Sequence, residues 1–529
     1  MRNALCSVID DVDDRGSARI PAVGWLLLFT VVAAMPLTIV ELPPFNDYTN
    51  HLVRLRMIAQ WGADPYLDDF YQIVWAVVPN LAIDLILPPV IQLVGEFAAG
   101  KLFIVSLFVL QMTGIAAIQR ATYGRVTVAP LLGTLFLYNL CLLYGLINYL
   151  LSVALALWAV AGWLHLRHRG LALRWAYLLV AYGVLFLTHL SGVGLFGLAL
   201  GCIELSARPI TRSSFPRHAI RILVSLGPSL LIVPVLMSLG SATDLAASET
   251  RWLLHRKRLA LDWLVGSYYP VLDLAFAAAL AAVAFWALRR RIMIVDRPGI
   301  LLLIFGAGLF AVVPFTLLGA VFSDLRLVIG ILFLTLGFVR LEFENARQVR
   351  VFLAGISGLL LLRVGSVAVA FLTMSPIIGE FRQSLANIRP GSRVMVMADD
   401  RHHRSRLLWT TGYAEDRDVF FALNQAPALV VTHRSSYVPI VFAQPGKQIL
   451  EVRPEYRDLR NPEDQAPLVR HLQKRPSPET QDPGQRFKDW QRRFDYLYVL
   501  FTRPDDPAPF PNLELLAQGQ HFRLYRLPH

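Results

Sequence analysis

The segment Glu41-Leu-Pro-Pro-Phe-Asn46-Asp47-Tyr-Thr-Asn-His51-Leu-Val-Arg54 sets a carboxylate, an imidazole and a guanidinium at spacings of four and three residues. If a helix starts at Asp47, the three side chains fall near one face. A carboxylate placed this way can act as general base toward a hydroxyl. His51 and Arg54 can hold that carboxylate or an anionic ligand. The same pattern has a plainer reading, in which Asp47 caps the helix and Arg54 snorkels to lipid headgroups.

A second group of residues suits a phosphate. Arg326 follows Asp324 at the start of an apolar run, and a guanidinium can hold two phosphate oxygens. The alternative is an ion pair between Arg326 and Asp324. Arg251, with Arg256, Lys257 and Arg258, is a weaker phosphate site, since a basic loop can equally contact anionic lipid. Tyr268 and Tyr269 lie in the same loop. His189 ends an apolar run, a position where a polar side chain usually faces a protein cavity; Asn148 and Tyr149 are placed similarly. The adjacent Asp68 and Asp69, like Asp47, are candidate ligands for a divalent ion such as Mg or Mn. Neighbours on a helix point apart, so a solvated turn after Pro65 is the simpler expectation. Asp399, Asp400, His402 and His403 match no zinc-ligand spacing. There is no phosphate loop, no dinucleotide fingerprint and no hydrolase triad order.

These residues must be held by a mostly apolar chain. Of 529 residues, 55% are hydrophobic and only 17% charged, against about 25% charged in soluble domains. The apolar runs fall between residues 22 and 372, and the composition after Ser375 is ordinary. A simple soluble enzyme, a disordered chain and a disulfide scaffold are thereby excluded. The three cysteines, Cys6, Cys141 and Cys202, all lie before Ser375, so the C-terminal part has no disulfide framework. The net charge of +12 comes largely from Arg in short loops, and no basic aromatic face suggests nucleic acid.

Eleven spans are expected, near 23–40, 101–119, 127–145, 149–165, 175–189, 191–206, 220–239, 271–288, 299–319, 326–340 and 350–372. Residues 1–22 read as a cytoplasmic tail leading into an uncleaved anchor, 23–374 as a membrane domain, and 375–529 as an extracytoplasmic α/β domain. With the N-terminus inside, 19 arginines fall in inside segments and 8 Lys or Arg in outside loops before the tail. Two outside loops are long, 41–100 and 241–270. Within the first, Thr49–Trp61 reads as an amphipathic helix on the membrane surface. Val78–Val94 carries Asn80, Asp84 and three prolines, and reads as a half-buried helix that does not span. In the tail, Gly391–Ala398, Ala428–Thr432, Tyr496–Phe501 and Phe522–Leu527 read as strands.

The first-loop motif, the following Val78-Pro-Asn80-Leu-Ala-Ile-Asp84-Leu and the Ser323-Asp324-Leu-Arg326 pair together resemble the GT-C glycosyltransferases, polytopic enzymes that use a polyprenyl-phosphate sugar as donor. The resemblance covers the layout of most of the chain, through short motifs. It implies a bacterial inner-membrane enzyme with an acidic catalytic or metal-proximal residue in the first external loop, juxtamembrane helices shaping a cleft, and a periplasmic soluble domain. Residue by residue, it points to Asp47 as base with His51 and Arg54 beside it. Arg326, Asp324, His189, Asn80, Asp84, Arg251, Tyr268 and Tyr269 would then bind substrate. The partners it implies are a polyprenyl-phosphate-linked sugar, the bilayer, and a glycan or lipid acceptor. The family commonly shows an acidic pair where this chain has Asn46-Asp47, and the Trp-Trp-Asp signature of oligosaccharyltransferases is absent. The rival expectation is a transporter, flippase or scaffold for envelope polysaccharide. Such a transporter should show repeats and mid-span charges, and neither stands out in the sequence.

Overall fold

The computed structural model describes residues 22–207, 215–239, 250–399, 401, 417–462, 464–469 and 489–528. Most of the N-terminal tail with Cys6, part of the loop 241–270, and Asp400, His402 and His403 lie outside the described residues.

Five described helices are long and apolar enough to cross a membrane: Glu96–Tyr123, Ile147–Leu166, Leu171–Thr188, Pro270–Arg289 and Ala346–Asn387. At 1.5 Å per residue, a 20-residue helix reaches about 30 Å, the thickness of a hydrocarbon core. Pro270–Arg289 exposes Val271, Leu274, Phe285 and Leu288, side chains that belong in lipid rather than water. The chain is a membrane protein. The apolar helices Ala22–Thr38, Leu81–Val94, Leu190–Ser206 and Arg297–Val312 are shorter. The expected span 127–145 is not one helix. It holds two short turns, Leu131–Thr134 and Leu140–Leu143, separated by irregular backbone, and nearly all of it is buried. Asn139 is one reason: its side chain bonds Phe136 O and Leu142 N and so competes with helix continuation. Irregular backbone of this kind persists at membrane depth only where protein covers it.

The chain forms two compact units. One comprises Met1–Thr38, Ile104–Leu142 and Ile147–Ala368; the other comprises Ile39–Phe103, Leu143–Leu146 and Val369–His529. In the first, the helix Ser323–Leu336 packs closely on its neighbours. A Cβ at Gly330 would lie 2.3 Å from Leu195 Cδ1, so the helix Leu190–Ser206 approaches closely and a larger residue would make Leu195 shift.

The second unit holds a four-stranded sheet in the order Val394–Ala398, Tyr496–Leu500, Phe522–Arg526, Glu514–Gln518. The first pair is parallel and the others antiparallel. A separate two-stranded ladder joins Tyr71–Ile73 to Leu450–Val452. Three of the four expected strands form. The fourth is wrong: Leu429–Arg434 is helical, continuing from the turn Ala426–Ala428. Val430 and Val431 are buried there, so packing overrides their β preference.

The first-loop helix forms as Tyr48–Ala59, but it does not lie on a surface. Its residues from Tyr48 to Leu55 are all buried, Arg54 completely so. Arg54, expected to face headgroups, is instead paired inside the protein with Asp84, and Arg56 pairs with Glu96 where it is partly exposed. Leu81–Val94 is a helix with Pro88 and Pro89 inside it, entered through Asn80 at φ +77°.

Candidate functional site

The candidate residues fall into two groups, one in each unit. In the second unit, Asp47 occupies the N-cap position of Tyr48–Ala59, yet its side chain makes no capping bond. The plain capping reading therefore does not describe it. Its Oδ1 accepts from Asn46 Nδ2 at 2.8 Å. The backbone here is docked on a neighbouring turn: Asn46 N donates to Leu143 O at 2.8 Å and Asp47 N to Tyr144 O at 3.1 Å. Asp47 remains half-buried, while Asn46 and Tyr48 on either side are buried.

Helical spacing places His51 one turn below Asp47, with His51 N bonded to Asp47 O at 3.0 Å. The ring sits edge-on to Phe442, 5.0 Å between centroids. Burial, followed by the charge of Arg54, holds its pKa well below the usual histidine value. His51 is thus a neutral imidazole, suited to hydrogen bonding rather than to holding an anion by charge.

Arg54 and Asp84 meet in a fully buried ion pair, Nη2 to Oδ1 at 2.6 Å. Burial pushes the Asp84 carboxyl up and Arg54 opposes it. The pair ties the Asp47 helix to Leu81–Val94. Asn80 supplies the left-handed residue that starts the second helix, a conformation asparagine tolerates better than most residues. Asp68 and Asp69 lie on the short helix Pro65–Phe70, which Asp64 caps through Tyr66 N and Leu67 N. The expected solvated turn is thus a capped helix. Asp69 accepts from the Tyr456 hydroxyl at 3.1 Å. Consecutive on a helix, the two carboxylates do not converge. Among the described residues no group of three His, Cys, Asp or Glu is arranged to hold a metal ion. Asp399 is held by Arg401, with Nε to Oδ2 at 2.9 Å.

In the first unit, Arg326 lies in the first turn of Ser323–Leu336 and is buried. Its Nη1 is 3.0 Å from His189 Nε2. The other ring nitrogen, Nδ1, faces Ser191 N at 3.0 Å, and a neutral ring has one acceptor nitrogen for these two donors. Tyr149, which bonds Arg326 O and receives Gly330 N at 3.1 Å, packs edge-on against His189. Asp324 is held by Lys257 Nζ at 3.0 Å and by Leu325 N at 2.8 Å. Lys257 also donates to Val313 O, so the basic loop is partly internal structure. Arg256 is buried over Phe315. Arg251 is exposed and forms a backbone bridge with Thr316. Tyr268 is buried, and Tyr269 precedes the helix Pro270–Arg289.

Sequence reasoning missed the turn under Asp47. Gly145 has φ +76°, and a Cβ there would lie 2.5 Å from Tyr48 N and 2.8 Å from Asp47 N. Backbone cannot yield as a flexible side chain can. Gly145→Ala is therefore expected to destabilise the protein by roughly 2–4 kcal/mol through left-handed strain and overpacking. Gly62, at φ +78° with open space around it, is the control. If thermal unfolding shows Gly145→Ala no worse than Gly62→Ala, the close approach is not as described. Arg363 was also missed. It is buried against Asp273 at 2.8 Å, and Asp273 in turn accepts from Ser267 N at 2.7 Å.

No family model matches the chain, and no curated protein matches it. Among solved structures it is similar to the crystal structure of ArnT from Cupriavidus metallidurans in the apo state. The identity is 16% and the TM-score 0.48, with 96% of this chain and 98% of that chain covered. It is also similar to the same protein bound to undecaprenyl phosphate, at 14% identity and TM-score 0.48, with the same coverage.

Proposed function

We propose that the protein is a membrane glycosyltransferase that moves a sugar from a polyprenyl-phosphate donor to a glycan or lipid acceptor. The observation that carries this reading is the half-buried carboxylate of Asp47, unused as a cap and fixed by its backbone and by Asn46. A carboxylate oriented in this way and still reachable suits a general base. The acceptor oxygen attacks the anomeric carbon as the bond from that carbon to the phosphate oxygen breaks. The polyprenyl phosphate leaves with the bonding electrons, and Asp47 takes the acceptor's proton. His51, neutral, and Arg54, tied to Asp84, set the helix that presents Asp47. Arg326, buried beside His189 in the first unit, is a separate anion-binding candidate. Asp68 and Asp69 do not fit a metal site, and no step uses one.

The topology that goes with this reading has about eleven crossings, counting the broken segment 127–145. The N-terminus is cytoplasmic, and residues 375–529 form a periplasmic α/β domain of a bacterial inner-membrane protein.

The test is transfer of label from a panel of radiolabelled polyprenyl-phosphate sugars, using membranes with and without the protein. Label appearing in a new glycan or lipid product only with the protein supports the reading. Label that crosses the bilayer without changing its covalent linkage would instead show a flippase or transporter.

A further inference from the structure

Asn424 and Gln425 form a two-residue amide clasp on the start of the Asp47 helix. Asn424 ends the helix Arg417–Leu423, with its N bonded to Phe420 O at 3.0 Å. Asn46, just before the helix, and Asn50, in its first turn, take one amide each. Asn50 can be oriented without ambiguity: Oδ1 accepts from Phe442 N at 2.9 Å and Nδ2 donates to Ile440 O at 2.7 Å. Nδ2 also donates to Gln425 Oε1 at 2.8 Å, and Gln425 Nε2 then donates to Asp464 O at 2.9 Å. This half of the clasp is satisfied by backbone groups of fixed polarity.

The other half is different. Asn424 Nδ2 donates to Asn46 Oδ1 at 2.9 Å, and Asn46 Nδ2 donates to Asp47 Oδ1 at 2.8 Å. Both asparagines are buried. An ionised carboxylate only accepts, so Asn46 must turn its NH₂ toward Asp47 and its carbonyl toward Asn424. Asn424 must then donate. In this half the run of donors and acceptors leads from Asn424 through Asn46 to the Asp47 carboxylate. If residue 424 could not donate, Asn46 would lose the contact that holds its amide in this orientation.

We infer that Asn424 is a positioning residue for Asp47, acting through Asn46. Gln425 and Asn50 hold the clasp, and Asn424 orients the amide that aims the carboxylate. The inference rests on the assignment of Asp47 as base only for its effect on transfer; the hydrogen-bond chain itself can be tested without any activity.

That test is a double-mutant cycle on thermal unfolding of the detergent-solubilised full chain, with Asn424→Asp and Asp47→Asn. In Asn424→Asp, carboxylates stand at both ends and Asn46 has one NH₂ group to share between them. The unfolding temperature is expected to drop by several degrees. In Asp47→Asn, the new amide oxygen can still accept from Asn46, and the change is expected to be small. In the double variant the polarity reverses. Residue 47 donates to Asn46 Oδ1, Asn46 donates to the carboxylate at 424, and the unfolding temperature returns close to wild type. If the double variant is as unstable as Asn424→Asp, the two sites are uncoupled and the inference fails.

The catalytic arm is Asn424→Ala, which removes the donor without adding a charge. It is expected to lower kcat by about tenfold or more, with KM changed less than about twofold, since a small misplacement of a catalytic group acts on the chemical step. Unchanged kcat alongside a coupled stability cycle would leave the chain standing and remove its role in catalysis. A coupled cycle with no transfer by wild type under any donor would count against Asp47 as a base rather than against the chain.

Discussion

Asp47→Asn is expected to lower sugar transfer by about 10²–10⁴-fold, the range lost when a general base is removed. The unfolding temperature should stay near that of wild type. The substitution is isosteric, and two of the contacts that hold residue 47 survive it: the backbone bond to Tyr144 and the bond from Asn46 Nδ2 to Oδ1. Asp47 contributes no capping bond to the helix, so the usual penalty for removing a cap does not apply. Loss of transfer with an intact fold is therefore the signature of a chemical role. Measured initial rates at saturating donor and acceptor, alongside unfolding curves, separate the outcomes. Transfer within about threefold of wild type would move the base elsewhere, with Asp68 or Asp69 next to be tested, and on the scale of such effects would remove Asp47 from the chemistry. A fall in both rate and unfolding temperature would show that the residue serves the fold.

Much of what surrounds Asp47 was legible in the sequence because it is local. Helical spacing predicts a helix over Thr49–Trp61, observed as Tyr48–Ala59, and the prolines of Val78–Val94 predict a helix apart from the long apolar ones. The apolar runs Val394–Ala398 and Tyr496–Leu500, with valine and tyrosine in them, form strands within the segments expected to. Glu514–Gln518 has neither feature, and it forms because Phe522–Arg526 pairs with it. Leu429–Arg434 shows the reverse, a valine-rich segment made helical by burial.

The contacts that turn the motif into a site are not local. Asp84 is 30 residues from Arg54, and Asn424 is 378 residues from Asn46. Nothing in either stretch announces its partner, since an aspartate in an apolar helix and an asparagine after a short helix have many ordinary uses. Gly145 is similar: its need for glycine comes from a backbone that approaches from a hundred residues away in sequence. The expectation of a surface helix failed for the same reason. Arg54 looks like a headgroup ligand until Asp84 is known, and then it is a buried strut.

That strut supplies the largest stability effect expected. Arg54→Met should destabilise the protein by about 3–5 kcal/mol, because it leaves Asp84 buried beside an apolar side chain without its counter-ion. The pair is fully excluded from solvent, so screening by water or salt does little to soften the loss. Part of the penalty can be escaped, since Asp84 can take up a proton and burial already pushes it that way. The variant should accordingly recover some stability as pH falls, because the protonated carboxyl tolerates burial. Removing both charges in Arg54→Met with Asp84→Leu should cost far less than either single change, since a buried pair repays little more than its own desolvation. Unfolding curves of the two single variants and the double decide it. If the double variant is as unstable as the sum of the singles, the helix is held by packing alone. If the double is stable but transfers sugar poorly, the ion pair earns its place by fixing the angle at which Tyr48–Ala59 presents Asp47, which is a catalytic consequence of a group that never touches substrate.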